Sequence, residues 1–367
     1  MIFYVYVGYP VVVIILARLI NKTPKKVQSM PTVSILIAAF NEEEHIEATI
    51  RNKLELDYPR EKLQIIVVSD ASTDRTDSIV QMHEAEGIHL IRQERRGGKS
   101  TALNIAYCHA MGEILVFSDA NSIFNRNALK EIVANFGDPS IGYVTGKMIY
   151  VNPDGSPVGD GCSAYMKYEN FLREKETLIG SIVGVDGGID AMRKNLYKPL
   201  NPDQLPDFVL PLTVIEQGYR VVYEAHAILH EHTLTTNADE YQMRVRVSLR
   251  TLWALKDKAH LLGTRYPALF AWQLWSHKVL RYLCFMFLIG TYTSNLLLIY
   301  SNVLYQVLFI MQNVCYLIAV FAPALGRKTY RLFSMLNYFV LLNQASLHAF
   351  LKFVLGKKQV LWTPRKG

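Results

Sequence analysis

The chain has 367 residues, 50% of them hydrophobic and 19% charged, which excludes a disordered or tail-like protein and leaves room for more than one domain. Its net charge of +7 is divided by position: residues 258–367 hold twelve Lys or Arg and residues 1–30 hold four, with no acid in either stretch. Between them 23 basic residues meet 32 acidic ones, so the middle is acidic and the basic ends flank apolar runs, a pattern that excludes nucleic acid as a partner and points to a membrane.

Residues 1–17 carry no charge and are followed by Arg18, Lys22, Lys25 and Lys26. That is one bilayer span with a positive inner flank. No small-x-small cleavage site follows it, so residues 1–21 are expected to form an uncleaved anchor. Its N-terminus would face outward, leaving the following domain on the cytoplasmic side of the inner (plasma) membrane.

Residues 31–257 alternate short β-branched runs, at 31–40, 63–69, 88–93 and 113–118, with amphipathic stretches of helix length. The alternation predicts parallel strands covered on both faces, an open α/β sheet that binds ligands at the carboxyl ends of its strands. Polar clusters fall at those ends: Asn41-Glu42, Asp70 to Asp74, and Asp119-Ala120-Asn121. Carboxylates on one rim suit a divalent metal and the polar edge of a base and ribose. A metal bridging Asp119 to a diphosphate reconciles acidic residues with a phosphate ligand, and the helix after Gly97-Gly98 offers N–H donors beside the cation of Lys99. Taken singly, Asp70 and Asp119 are equally good helix caps or Asx turns. Gly97-Gly98-Lys99-Ser100 lacks the glycine five positions before Gly98 that a P-loop needs, since Gln93 stands there, which argues against an ATPase.

Further along, His230-Glu231-His232 offers a third metal ligand near a leaving group, but alternation on a strand would turn both imidazoles to one side, which favours packing or solvent. Arg244 and Arg250 suit a basic helix on anionic lipid as well as they suit a ligand. Residues 258–281 mix Trp272, Trp275 and Tyr266 with Arg265, His277, Lys278 and Arg281, the composition of an interfacial helix. Residues 282–326 hold no charge, enough for two spans with a turn near Ser301-Asn302. A third candidate, 332–351, is softened by Asn337, Asn343, Gln344, Ser346 and His348. As a span, the favoured reading, it completes a helix cluster over 282–355 and puts the basic tail 356–367 outside, whereas an interfacial helix would keep that tail inside. The cysteines, Cys108, Cys162, Cys284 and Cys315, lack ligand spacing and read as buried free thiols.

PTVSILIAAFNEEE, VVSDASTDRT, GGKSTALN, VFSDANSIF and DFVLPLTVIEQGYRVVYE occur in this order. With an N-terminal anchor and a C-terminal helix cluster, the chain resembles family-2 inverting glycosyltransferases of the membrane-embedded sort that includes cellulose, chitin and hyaluronan synthases. The resemblance implies an α/β fold: a GT-A (Rossmann-like) cytoplasmic catalytic domain over 31–257, with one N-terminal and about three C-terminal transmembrane helices. It implies that Ala39 and Glu42 contact uridine, that Asp70 contacts the uracil ring, and that Lys99 lies on the base or diphosphate side of a UDP-sugar. Asp119 and Asn121 stand at the D-x-D that holds Mg²⁺ or Mn²⁺, the second acid being an amide here. Asp207 takes the position of the acceptor-activating base, with Pro206 in place of the usual preceding acid; without the resemblance it reads as a helix cap. Gly184, Asp186 and Gly187, in the segment 181–193, match the acceptor-side loop. Met243 and Val247 replace the Gln and Trp of the processive Q-x-x-R-W signature, while Arg246 remains to pair with the diphosphate. The lost aromatic platform points to single hexosyl addition onto a lipid-linked or polysaccharide acceptor rather than polymer extension. A homo-oligomer or synthase complex would suit the second mode, and a non-catalytic scaffold is the reading that the Asn121 and Pro206 departures leave open.

Overall fold

The computed structural model describes residues 1–151, 160–232, 237–263, 267–322 and 331–361. A wide helical turn, Tyr4–Gly8, runs into α1 (Tyr9–Ile20), which ends at Asn21 in the left-handed conformation. The sheet domain follows. Strand β1 (Val33–Ala39) is buried along its whole length because both its faces are covered. Ile35 and Ile37 join one apolar core and Leu36 and Ala38 the other, so removing one such side chain, as in Ile35→Ala, costs about 2–5 kcal/mol.

Helix α2 (Ile46–Leu54) leads to β2 (Leu63–Ser69), α3 (Thr76–Gln81) to β3 (Ile88–Arg92), and α4 (Lys99–His109) to β4 (Ile114–Asp119). These four strands are parallel, with β1 between β2 and β4. The chain therefore reverses its direction of growth at β1, and the crevice beyond the carboxyl ends of β1 and β4 is where such a sheet takes a ligand. The rest of the sheet is mixed. After β5 (Ile123–Phe124) and α5 (Ala128–Ala134) come β6 (Ile141–Val151), α6 (Asp160–Ile179), β7 (Ile189–Arg193), α7 (Pro206–Glu216) and β8 (Arg220–His232). Strand β7 is antiparallel to β4 and β6, and the order across the eight strands is β3-β2-β1-β4-β7-β6-β8-β5.

Beyond the sheet, α8 (Asn237–Asp257) leads to α9 (Ala268–Gln273), a π-helical stretch (Leu274–Val279) and α10 (Leu280–Tyr282). The uncharged run forms α11 (Cys284–Leu297) and α12 (Val303–Phe321), and the Asn302 side chain caps α12 by accepting from the Leu304 N–H. Among the described residues α12 is the helix long and apolar enough to cross a membrane; Tyr4–Ile20 and α11 are shorter apolar helices. Leu304, Ile310, Leu317 and Val320 of α12 stand exposed.

Helix α13 (Arg331–Val354) lies along α8, with Val245 and Leu249 packed on Ala345 and Ala349 and Trp253 edge-on to Phe353. Trp253 Nε1 donates to the Lys357 carbonyl at 2.9 Å and Lys358 pairs with Asp203, so the described part of the basic tail rests on the sheet domain and α8. Those contacts run against a span that carries the tail away from the domain. Two other expectations change. Cys108 and Cys315 are exposed rather than buried, each on the outer face of its helix, while Cys284 is buried; the Cys162 side chain lies outside the described residues. His277 and Arg281 turn inward onto Glu169 and Glu176 of α6 instead of lying among headgroups, because buried carboxylates draw them there.

Candidate active site

Lys99 is the first residue of α4, entered through Gly98 at φ +88, a backbone state that favours glycine. That turn projects its ammonium to 2.7 Å from Asp119 Oδ1 at the end of β4 and 3.4 Å from Asp207 Oδ1 in the first turn of α7. Burial works against the lysine's charge, but the two carboxylates outweigh it and hold its pKa above the ordinary value. Asp207 does not cap its helix: the N-cap is Leu205, with no side-chain cap bond, and the carboxylate turns to Lys99 instead.

Gly187, at φ +79, lies against Asp207; a Cβ there would stand 3.0 Å from the Asp207 Cγ. The same loop is fixed from α6 by Arg173, which grips Asp186 with two nitrogens and donates through Nε to the Gly184 carbonyl at 3.2 Å. Asp186 is thus committed to an ion pair, although it borders the cleft. Beneath the loop, Asp190 on β7 is fully buried beside the Thr145 and Tyr143 hydroxyls, with no cation bonded to it among the described residues. Burial first, and then the charge of Asp207, push this carboxyl up to about 8.

The rim residues separate into two groups. Glu42, Lys99, Asp119, Asn121, Asp207 and Arg246 line one cleft. Ala39 closes the end of β1 and accepts from the Asp70 N–H at 2.8 Å. Asp70 is buried, and its carboxylate accepts from the N–H groups of Gly97 at 2.6 Å and Gly98 at 3.1 Å and from Gln93 Nε2 at 3.0 Å. Asp70 thus takes the N–H groups of Gly97 and Gly98, the two residues just before the helix whose N–H donors were expected beside Lys99.

Asn121 Nδ2 stands 3.4 Å from Oε1 of the buried Glu231. Carboxylate, amide oxygen and a second carboxylate nearby form a hard-oxygen donor set that fits Mg²⁺ or Mn²⁺. A different group, Glu131, Glu224 and His226, has its ligand atoms within 4.8 Å of one another, but Glu224 is engaged by Lys26 and Asn135. His230 bonds Asn125 at 3.1 Å, and the His232 side chain lies outside the described residues.

Arg244 and Arg250 do not reach for lipid. Arg244 pairs with Glu240 at 2.8 Å and donates to the Tyr338 hydroxyl at 2.6 Å, while Arg250 binds the Gln204 carbonyl and Ser100 Oγ. Glu231, Arg173 and Lys278 also border the cleft, none of them singled out from the sequence. For Glu231 there was a signal: on a strand it must face opposite to its two histidine neighbours.

The sequence profile of glycosyl transferase family 2 matches residues 34–199, which span β1 to β4, the Lys99 turn, Asp119 and the Gly184–Gly187 loop. Residues 34–199 thus carry a family-2 glycosyltransferase domain. Among curated relatives, poly-β-1,6-N-acetyl-D-glucosamine synthase of Staphylococcus aureus is 26% identical over 234 residues, covering 62% of this chain and 56% of the relative. The probable glycosyltransferase YdaM of Bacillus subtilis is 33% identical over 141 residues, 37% of this chain and 34% of YdaM. The chain thus spans little more than half the length of the synthases it matches. Among solved structures, a mannosyltransferase of Pyrobaculum calidifontis, in complex with GDP-Man and Mn²⁺, superposes with a TM-score of 0.73 at 22% identity, covering 96% of this chain and 97% of that one. At that identity the likeness concerns the fold, and it supports the mixed, Rossmann-like GT-A sheet.

Proposed function

We propose that the protein is an inverting, membrane-bound hexosyltransferase that moves a sugar from a nucleotide sugar to an acceptor in cell-surface polysaccharide or glycolipid synthesis. The observation that carries this reading is the meeting of Lys99, Asp119 and Asp207, from three distant motifs, in one cleft at the switch point of the sheet. Asp207 takes the proton of the acceptor hydroxyl as that oxygen bonds the anomeric carbon from the face opposite the diphosphate, and the bond to the diphosphate oxygen breaks. Mg²⁺ or Mn²⁺, held by Asp119 and Asn121 with Glu231 beside them, would supply positive charge to the leaving diphosphate. Lys99 and Arg246 add fixed cations on the same side, and Gly187 leaves room for a sugar against the base.

The donor we favour is UDP-linked, with Ala39, Glu42 and Asp70 around its uridine. The relative named as a poly-N-acetylglucosamine synthase makes UDP-N-acetylglucosamine the first donor to try, and the GDP-Man complex of the archaeal neighbour makes GDP-mannose the second. In this reading the segment 1–21 and the helices α11 and α12 sit in the inner membrane, the domain faces the cytoplasm, and α13 lies at the interface. Val247, where processive enzymes carry Trp, favours a single addition to a lipid-linked acceptor over chain extension. Incubating membranes with a sugar-labelled donor tests this: label should enter one discrete lipid-extractable product, and Asp207→Asn should abolish it. A ladder of polymer lengths would instead favour a processive synthase that passes its product across the membrane.

A further inference from the structure

Toward α1 and α13 the catalytic cleft opens into a smaller cavity, which shares Arg244, Lys278 and Tyr282 with it and reaches Tyr6, Arg281 and Ser346. Its walls are rich in charge, and most of that charge is matched. Arg173 holds Asp186, and Arg244 holds Glu240. Glu176 takes His277 Nδ1 and the Tyr9 hydroxyl, while Glu169 takes His277 Nε2 and Arg281 Nη1. Two sets of donors are left over. Among the described residues Lys278 has no hydrogen-bond or ion-pair partner, and Arg281, beyond its bond to Glu169, meets only the faces of Tyr6 and Tyr168 and the Tyr168 side chain, with no second carboxylate or carbonyl for its Nε and Nη2. Lys278 presses on the acceptor-side loop so closely that a Cβ on Gly184 would collide with its ammonium.

Buried donors without acceptors cost stability unless a ligand supplies the missing oxygens. A planar guanidinium edge and an ammonium around one small space suit a tetrahedral oxyanion, which offers several acceptors at once. The loop pressed by Lys278 also carries Gly187 against Asp207, so the cavity lies on the acceptor's side of the base, away from Lys99 and Asp119. Two of its walls, Tyr6 and Ser346, belong to the apolar N-terminal segment and to α13.

We propose that this cavity binds the phosphate of a lipid-linked acceptor, with Lys278 and Arg281 donating to its oxygens, while the hydroxyl to be glycosylated reaches toward Asp207. The assignment rests on the transferase reading above and names the chemical class of its acceptor. The lipid chain leaves between α1 and α13.

The test uses the full chain in phosphatidylcholine nanodiscs and dodecyl phosphate as the probe, with the thermal unfolding midpoint as readout. Dodecyl phosphate should raise the midpoint saturably, dodecanol should not, and inorganic phosphate should bind at least about tenfold more weakly because it lacks the chain. Lys278→Met should weaken the probe by about tenfold or more yet leave the probe-free midpoint equal or higher, since an unmatched cation has been removed. Lys278→Arg should keep binding, and Lys278→Gln serves the same comparison if the Met variant misfolds. Wild-type affinity in the neutral variants overturns the proposal. So does equal binding of inorganic phosphate, which would mark a free-anion site, or of dodecanol, which would mark an apolar cleft. Asp207→Asn should bind dodecyl phosphate like the wild type; if that variant also transfers sugar normally, the base assignment fails while the anion site stands.

Discussion

At the scale of single residues, Lys99 stands between the two carboxylates that the proposed chemistry needs apart from each other, one for the metal and one for the acceptor. Asp207→Asn should lower turnover by at least about 100-fold with donor affinity little changed, measured as kcat against KM, because it removes only the base. Gly187→Ala should also slow turnover, since the new Cβ meets Asp207 at 3.0 Å in a left-handed backbone. Asp190 gives a pH signature. The folded state keeps its proton up to about pH 8, whereas its ordinary value is 3.8, so this group lowers stability as pH rises through that window. Asp190→Asn should therefore unfold at a higher temperature than the wild type at pH 8, by roughly 2 °C or more, and the gap should close near pH 4. Asp119 and Lys99 stood out as site candidates because each lies in a short motif at a strand or helix end, whereas Asp207 was singled out only through the resemblance. The bond from Asp70 to the glycine loop was not legible, because it joins residues 27 apart through a strand order that no local pattern reveals.

At the scale of elements, the alternating runs from 31 to 118 announce β1 to β4 and their parallel pairing, since apolar periodicity and connection length are local properties. The antiparallel β7 between β4 and β6 carries no such signal: its register follows from packing under the cleft. Helix α6 is the clearest omission. Its Glu169, Arg173 and Glu176 are all buried because α1, the loop at 181–188 and the 274–282 segment close over them. Glu176→Ala should thus cost about 3 kcal/mol or more, seen as a lower unfolding midpoint, because His277 and the Tyr9 hydroxyl lose their shared acceptor inside the protein. An exposed pair such as Arg51–Glu47 on α2, broken by Glu47→Ala, should shift the midpoint very little.

At the scale of the molecule, the cleft that holds Asp207 and the smaller cavity toward Tyr6 and Ser346 share Arg244, Lys278 and Tyr282 in their walls. The basic ends and the uncharged run announced helices suited to a membrane, but the packing of α13 on α8 depended on Ala345 and Ala349 meeting Val245 and Leu249, small against large, which composition does not encode. The central claim is metal-dependent glycosyl transfer with Asp207 as base. It is tested most directly by nucleotide release from the purified chain in lipid, with lipid-linked acceptors supplied, across UDP-N-acetylglucosamine, GDP-mannose and other nucleotide sugars, with Mn²⁺ or a chelator. One donor should release its nucleotide, with the rate abolished by the chelator and cut at least about 100-fold by Asp207→Asn. Release by Asp207→Asn at the wild-type rate, or none from any donor by a folded wild type, would contradict it.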